Sequence, residues 1–252
     1  MKNENLKMKS GSYIRTGLFL LSFALLNLSA SSQNNKKKLA KEKTQIVLFN
    51  GSSTNAWKDL KSENFPEHGW VVKDGILTVL ASTTGQEGGH DIITKEQFSN
   101  FELKLEVCLS EGANSGVKYM VTDSYPGKKG QYLGLEYQLI DNAKHPDALL
   151  GRDGNRKMAT LYDIFPVAGH VKIYPPGKWN KVKIIVDGNH VEHWLNGRKA
   201  VEYNRDSDNY KEMVRLSKYN ELKNFGEQKQ GHILLQGHGN EVSFRNISIR
   251  TW

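Results

Sequence analysis

The stretch Phe101-Glu102-Leu103-Lys104-Leu105-Glu106-Val107-Cys108-Leu109 constrains the fold more than any other part of the chain. Successive side chains on a strand point to opposite faces. Phe101, Leu103, Leu105, Val107 and Leu109 therefore share one face, and Glu102, Lys104, Glu106 and Cys108 share the other. On a helix the same residues would be scattered around the axis. The run predicts an antiparallel strand with one face on a core and one in water. Such a strand needs neighbours, and the chain offers many short apolar or alternating runs. These lie at 46–49, 70–73, 76–79, 91–94, 116–121, 133–140, 158–163, 171–173, 182–186, 191–195, 231–236 and 242–249. Asp74-Gly75 between two of them is a type I′ hairpin signal, and Asp187-Gly188 and Asn196-Gly197 mark further turns. One polar stretch, 207–223, can hold a helix capped at Ser207, with Met213, Leu216 and Leu222 as apolar contacts. Many short strands, glycine-rich turns and one helical insertion predict an all-β protein, a β-sandwich of jelly-roll type.

The net charge of +8 suggests at first a nucleic-acid partner. Its distribution argues against one. Residues 1–43 hold nine basic and two acidic side chains, so residues 44–252 keep a net charge of only +1. The excess sits in a leader. Lys2, Lys7, Lys9 and Arg15 precede an apolar run of 12 residues at 17–28, followed by Ser29-Ala30-Ser31-Ser32. That is the order of a secretory signal peptide, and the run is short for a membrane span. The expected organisation is a signal at 1–32, a polar linker at 33–44 and one domain at 45–252. It implies a periplasmic or secreted protein with no stable membrane insertion after cleavage. The single cysteine, Cys108, excludes an internal disulfide and a four-thiolate metal site. No GxSxG elbow or phosphate-binding glycine loop occurs.

Candidate chemistry concentrates around 130–142. Alternation puts Glu136 and Gln138 on one face beside Gly134, with Leu135, Tyr137 and Leu139 on the other. A glycine next to two polar side chains suits the floor of a groove. Asp141 stands at the strand exit. In Asn114-Ser115-Gly116-Val117-Lys118-Tyr119, Gly116 and Lys118 share a face, and Lys118 can hold an oxyanion. A polar loop carries His145, Asn155 and Arg156 toward Tyr162, the kind of loop where binding residues gather. Gln236 and His238 project to one side of a late strand, and the flanking glycines leave His238 open for proton transfer. His190-Val191-Glu192-His193 is one residue short of the helical zinc motif and lies in a strand, where His190 and His193 face opposite ways. Trp57, Trp70, Trp179 and Trp194 read as core or rim residues rather than a sugar-stacking platform.

These segments, with Phe98-Ser99-Asn100-Phe101-Glu102-Leu103, Leu161-Tyr162-Asp163, Gly177-Lys178-Trp179-Asn180, Leu195-Asn196-Gly197 and Gly231-His232-Ile233-Leu234-Leu235-Gln236-Gly237-His238, together resemble the 3-keto-disaccharide hydrolase domain family. The resemblance covers roughly 45–252. It implies a concanavalin-A-like jelly roll with a groove that cleaves glycosides oxidised at C3, by hydrolysis or through lyase and hydratase steps. It places the family's polar groove residues on Glu136, Gln138 and Asp141, with Lys118 and His238 alongside. Together with the loop and strand positions read above, the expected catalytic residues are Glu136, His238 and Lys118, and the expected substrate contacts Gln138, Asp141, His145, Asn155, Arg156, Tyr162 and Gln236. The implied partner is an oxidised di- or oligosaccharide or glycoside, with no nucleic acid. No cofactor is required by the pattern. A divalent metal ion (Mn, Co, Zn or Ca) is an option, for which His145, Glu136, Asp141 and His238 offer donors. Many members of the family carry Arg where this chain has Met120. The alternative reading is a non-catalytic carbohydrate-binding module on the same sandwich.

Overall fold

The computed structural model describes residues 44–123, 125 and 130–252. The expected signal at 1–32 and the linker up to residue 43 lie outside the described residues, and Thr44 opens the first strand. In chain order the strands are β1 (Thr44–Phe49), β2 (Trp57–Asp59), β3 (Trp70–Lys73), β4 (Ile76–Val79), β5 (Ile92–Thr94), β6 (Phe101–Leu109) and β7 (Asn114–Thr122). They continue as β8 (Leu133–Ile140), β9 (Asn180–Asp187), β10 (His190–Leu195), β11 (Arg198–Asn204), β12 (His232–Leu235) and β13 (Val242–Thr251). One helix, α1 (Asp208–Arg215), follows β11. No helix among the described residues is long and apolar enough to cross a membrane.

The strands form two antiparallel sheets. The larger runs β11-β10-β9-β6-β13-β4-β3, with β1 also on β13, and the smaller runs β2-β5-β12-β7-β8. β13 serves two partners along one edge, β4 at Val242–Phe244 and β1 at 247–251. On its other side it pairs with β6. β6 behaves as its alternation requires: all five odd-numbered residues are buried, and the even-numbered ones are half-buried or exposed. They share one core with Val117 and Tyr119 of β7 and with Leu135, Tyr137 and Leu139 of β8. The chain is a two-layer, concanavalin-A-like jelly-roll sandwich. Asp74 and Gly75 sit at φ 51° and 78°, and Asn196 and Gly197 at φ 49° and 82°, the left-handed pairs that a type I′ hairpin needs.

Four segments differ from expectation. Residues 158–163 form no regular strand. Ala159 and Asp163 have φ of 71° and 62°, which bends the chain out of extended geometry. The segment still lies along β8: Ala159 N–H donates to the Gln138 carbonyl and Tyr162 N–H to the Glu136 carbonyl. Residues 171–173 join no ladder, and the Lys172 carbonyl accepts instead from the Asn196 side chain. β2 and β11 were not expected; the first has three residues, and the second is a polar edge strand whose apolar face is only Ala200, Val201 and Tyr203. In α1, the Ser207 hydroxyl caps the N-terminus by accepting from Tyr210 N–H. The helix packs through Tyr210 and Val214, whereas Leu216 is 47% exposed.

The two sheets are joined by a buried polar chain. Tyr119 Oη on β7 lies 2.7 Å from His193 Nε2 on β10 and 2.7 Å from Tyr203 Oη on β11. His193 Nδ1 faces the Ala159 carbonyl at 3.3 Å. A carbonyl only accepts, so Nδ1 carries the proton and Nε2 accepts from Tyr119. Tyr203 then donates to Tyr119. Each polar atom in the chain is partnered by the neutral imidazole, and burial depresses the His193 pKa to about 3. Between the unfolded value near 6.5 and this folded value, only the unfolded chain takes up the proton. Stability is therefore lost as pH falls through that window, by about 1.4 kcal/mol per pH unit from this group. His193→Gln is expected to flatten the decline of Tm between roughly pH 6.5 and pH 4, as read by thermal melts of both proteins.

Candidate active site

The outer face of the smaller sheet is polar along β7 and β8. Asn114, Gly116 and Lys118 alternate outward on β7, and Gly134, Glu136 and Gln138 on β8. The register sets Gly116 opposite Gln138 and Lys118 opposite Glu136. Asn114, Lys118, Gly134, Glu136 and Gln138, with Leu133, Tyr162, Lys218, Tyr219, Gln236 and His238, line a groove of about 150 Å³. The groove brings together Glu136, Gln138, Lys118, Tyr162, Gln236 and His238 from the residues singled out in the sequence.

Glu136 is 6% exposed. Gly116 makes room for it: a Cβ there would stand 2.6 Å from Glu136 Oε1. Among the described residues no group donates a hydrogen bond to its carboxylate. Burial raises its pKa above the ordinary 4.5, while Lys118 and Lys218 oppose the rise. Lys118 Nζ lies 4.0 Å from Asp91 Oδ2, and Asp91 is itself held by the Gly237 amide. Burial raises the Asp91 pKa as well, against the pull of Lys118. His238 is exposed at the rim, on the segment that follows β12. Gln138 is oriented by donating to Asn114 Oδ1 at 3.3 Å.

Four expected contacts fall outside the groove lining. Asp141 is spent on the backbone, accepting from Gly112 N–H at 2.9 Å and Ala143 N–H at 3.0 Å. His145 caps a 3-10 turn, its Nδ1 accepting from Asp147 N–H. Asn155 accepts from Arg152 N–H and organises its own loop. Arg156 binds two carboxylates, Asp147 Oδ1 at 2.9 Å and Asp163 Oδ1 at 2.6 Å. Asp147 in turn accepts from the Tyr162 hydroxyl at 2.8 Å, and Asp163 from the Lys218 amide at 2.7 Å. The sequence reading missed Lys218, Tyr219 and Asp91. The first two follow a polar helix with no pattern of their own, and Asp91 directly precedes a three-residue strand.

The donors considered for a metal do not form a metal centre. Of His145, Glu136, Asp141 and His238, only Glu136 and His238 reach the groove. Among the described residues, His190, Glu192 and Glu202 have ligand-like spacing, but they lie on β10 and β11 in the other sheet. There the Lys199 ammonium already pairs with both glutamates and stands where a cation would bind. A larger cleft of about 350 Å³ on that sheet includes Trp194 and the stems of Lys104, Lys181 and Lys183. Lys183 lies 3.9 Å and Lys199 5.9 Å from the Trp194 ring, from the strands on either side, and this crowds it as a sugar platform.

Residues 44–250 match the model of the 3-keto-alpha-glucoside-1,2-lyase-like domain. The chain belongs to that family. A 3-keto-disaccharide hydrolase from Bacteroides thetaiotaomicron is 35% identical over 226 residues, covering 81% of this chain and 77% of the relative. The crystal structure of a candidate glycosyl hydrolase from Parabacteroides distasonis superposes with a TM-score of 0.71 at 29% identity, covering 81% of this chain and 92% of that one. A Bacillus subtilis protein with a galectin-like fold shares the fold, with a TM-score of 0.50 at 14% identity, over 82% of this chain and 94% of that one. Met120 is fully buried at a bulge of β7 with φ 52° and is not among the residues that line the groove.

Gly116→Ala is expected to displace the Glu136 carboxylate while sparing the fold, because the group that must move is a side chain. Turnover of a 3-keto-disaccharide should fall by about 100-fold with little change in Tm, measured by product assay and thermal melt.

Proposed function

We propose that this chain is a carbohydrate-active hydrolase that cleaves the glycosidic bond of 3-keto-glycosides. The observation that carries the reading is Glu136: a nearly buried carboxylate on the groove floor, with raised proton affinity, no hydrogen-bond donor among the described residues and an ammonium group opposite it. A ketone at C3 acidifies the proton on C2. Glu136 takes that proton, and the C2–H electrons form a C2–C3 double bond with the charge on the C3 oxygen. The electrons then return: the C3 carbonyl re-forms, a C1–C2 double bond appears, and the C1–O bond breaks. His238 at the rim supplies a proton to the departing oxygen. Water adds its hydroxyl to C1 while His238 takes back a proton from that water, and Glu136 returns its proton to C2. The sum is hydrolysis through elimination and hydration, with no redox change.

The groove residues divide the work. Burial makes Glu136 a stronger base than a solvated glutamate, and Lys118 opposes that rise. Cationic groups hold the oxygen where charge develops. Gln138 and Gln236 offer amides to sugar hydroxyls, and Tyr162 and Tyr219 form an aromatic wall. The B. thetaiotaomicron relative, a 3-keto-disaccharide hydrolase, supports the substrate class. Export to the periplasm or medium belongs to the same proposal, on the strength of the leader at 1–32.

The purified protein is to be incubated with 3-keto-trehalose, 3-keto-sucrose and the parent sugars, with mass spectrometry of the products. Cleavage of the keto sugars alone is expected. Glu136→Gln should lower kcat by about 1,000-fold. The base must be unprotonated, so a raised pKa puts the acid limb of kcat/KM above 4.5, and the variant should lose that limb. Equal cleavage of the parent sugars, or wild-type turnover by Glu136→Gln, would sink the mechanism. Binding of keto sugars without any turnover would make the protein a carbohydrate-binding module.

A further inference from the structure

The two ammonium groups of the groove are held differently. Lys118 is drawn toward Asp91 at 4.0 Å. Lys218 has no carboxylate oxygen within 4.0 Å of its Nζ among the described residues. Its ammonium lies 4.1 Å from the centre of the Tyr162 ring and 5.0 Å from that of Tyr219, both lining the same groove. The residue is exposed on its outer side, yet its charged end is partly withdrawn from water against these rings. Burial lowers its pKa, the cations Lys118 and Arg156 lower it further, and Glu136 and Asp163 oppose them. A more acidic ammonium is a stronger hydrogen-bond donor. A cation over aromatic faces, with no carboxylate partner, is available to an incoming oxygen.

The chain positions Lys218 with some care. α1 ends at Arg215, and the Ser217 hydroxyl both donates to the Val214 carbonyl and accepts from Tyr219 N–H. Tyr219 stacks on Phe225 with ring centres 4.0 Å apart. The Lys218 amide donates to Asp163 Oδ2, and the other oxygen of Asp163 accepts from Arg156 Nε. Arg156 also holds Asp147, which fixes the hydroxyl of Tyr162, the ring under the Lys218 ammonium. One guanidinium thus sets both the backbone that carries the lysine and the ring beneath it.

We propose that Lys218 is a catalytic residue that binds the C3 oxygen of the substrate, and that Arg156 is the residue that positions it. The proposal rests on the reading of the groove as a 3-keto-glycosidase site. As the C2 proton leaves for Glu136, Lys218 donates a hydrogen bond to the developing enolate oxygen and keeps its own proton throughout. Lys118 is left to tune Glu136.

The test uses the full chain in a Cys108→Ser background, which leaves no native thiol. Lys218→Met should lower kcat on 3-keto-trehalose by about 100-fold, with KM changed by less than about threefold. Lys218→Cys should be equally slow and should regain at least about a tenth of the kcat after 2-bromoethylamine converts the thiol to an aminoethyl thioether. Arg156→Lys should speed amide exchange at Lys218 and lower kcat with Tm nearly unchanged; Asp163→Asn carries the same test if that variant does not fold. A Lys218→Met enzyme within about threefold of wild-type kcat overturns the proposal and leaves the 3-keto-glycosidase reading standing. So does a fully aminoethylated Lys218→Cys with no recovered rate. Unchanged exchange at Lys218 in the Arg156 or Asp163 variant removes the positioning role. A wild-type chain inert toward 3-keto-glycosides overturns both readings together.

Discussion

A carboxylate held almost out of water on a strand face is the constraint around which the rest of the structure is arranged. Transfer of a lone carboxylate out of water costs several kcal/mol even after relaxation. Glu136 sits at 6% exposure without a hydrogen-bond donor among the described residues, so the neighbourhood must offset that cost by other means. Two lysines do so at a distance, and neither neutralises the carboxylate completely. A bare glycine on the neighbouring strand leaves space for the carboxyl head. Any side chain at Gly116 would settle the matter sterically. The arrangement makes a proton acceptor stronger than a surface glutamate, with two ammonium groups opposing the rise.

Holding such a group requires a stiff floor and a fixed wall. The floor is the smaller sheet, whose inner face is locked to the larger one by Val117, Tyr119, Leu135, Tyr137 and Leu139. Tyr119, His193 and Tyr203 add a directional bond chain between the layers, and its last link is the carbonyl of Ala159. That carbonyl belongs to the bent segment along the outer edge of β8, the same segment that carries Tyr162. The wall is thereby tied to the core on one side. On the other side Arg156 ties it to the loop after α1 through Asp163. Inter-sheet packing, the edge segment and the groove form one connected piece of structure.

What could be read directly from the chain follows from period two. The alternation at 101–109 specified a half-buried strand because each residue has only two directions to face, and every odd-numbered side chain there is buried. The same rule put Glu136 and Gln138 with Gly134 and joined Gly116 to Lys118, which accounts for the groove floor. Edges were harder. β11 is polar because one side faces solvent, and residues 158–163 alternate like a strand while two left-handed residues bend them. Loops were hardest. Asp141, His145, Asn155 and Arg156 have the chemistry of ligand-binding residues, but three of them satisfy nearby backbone amides and the fourth clamps two carboxylates. Nothing local distinguishes those uses. Lys218 was invisible for the converse reason: its place over Tyr162 is set by contacts 55 residues apart in sequence.

The central claim is that Glu136 moves the proton on C2. A 3-keto sugar with no leaving group at C1, such as 1,5-anhydro-3-ketoglucitol, isolates that step from bond cleavage. Proton NMR in deuterated buffer would follow the C2 signal with wild-type protein and with Glu136→Gln. The account predicts protein-dependent loss of the C2 proton to deuterium with the wild type and none above the buffer rate with the variant. No exchange with the wild type, or equal exchange with both, would contradict it.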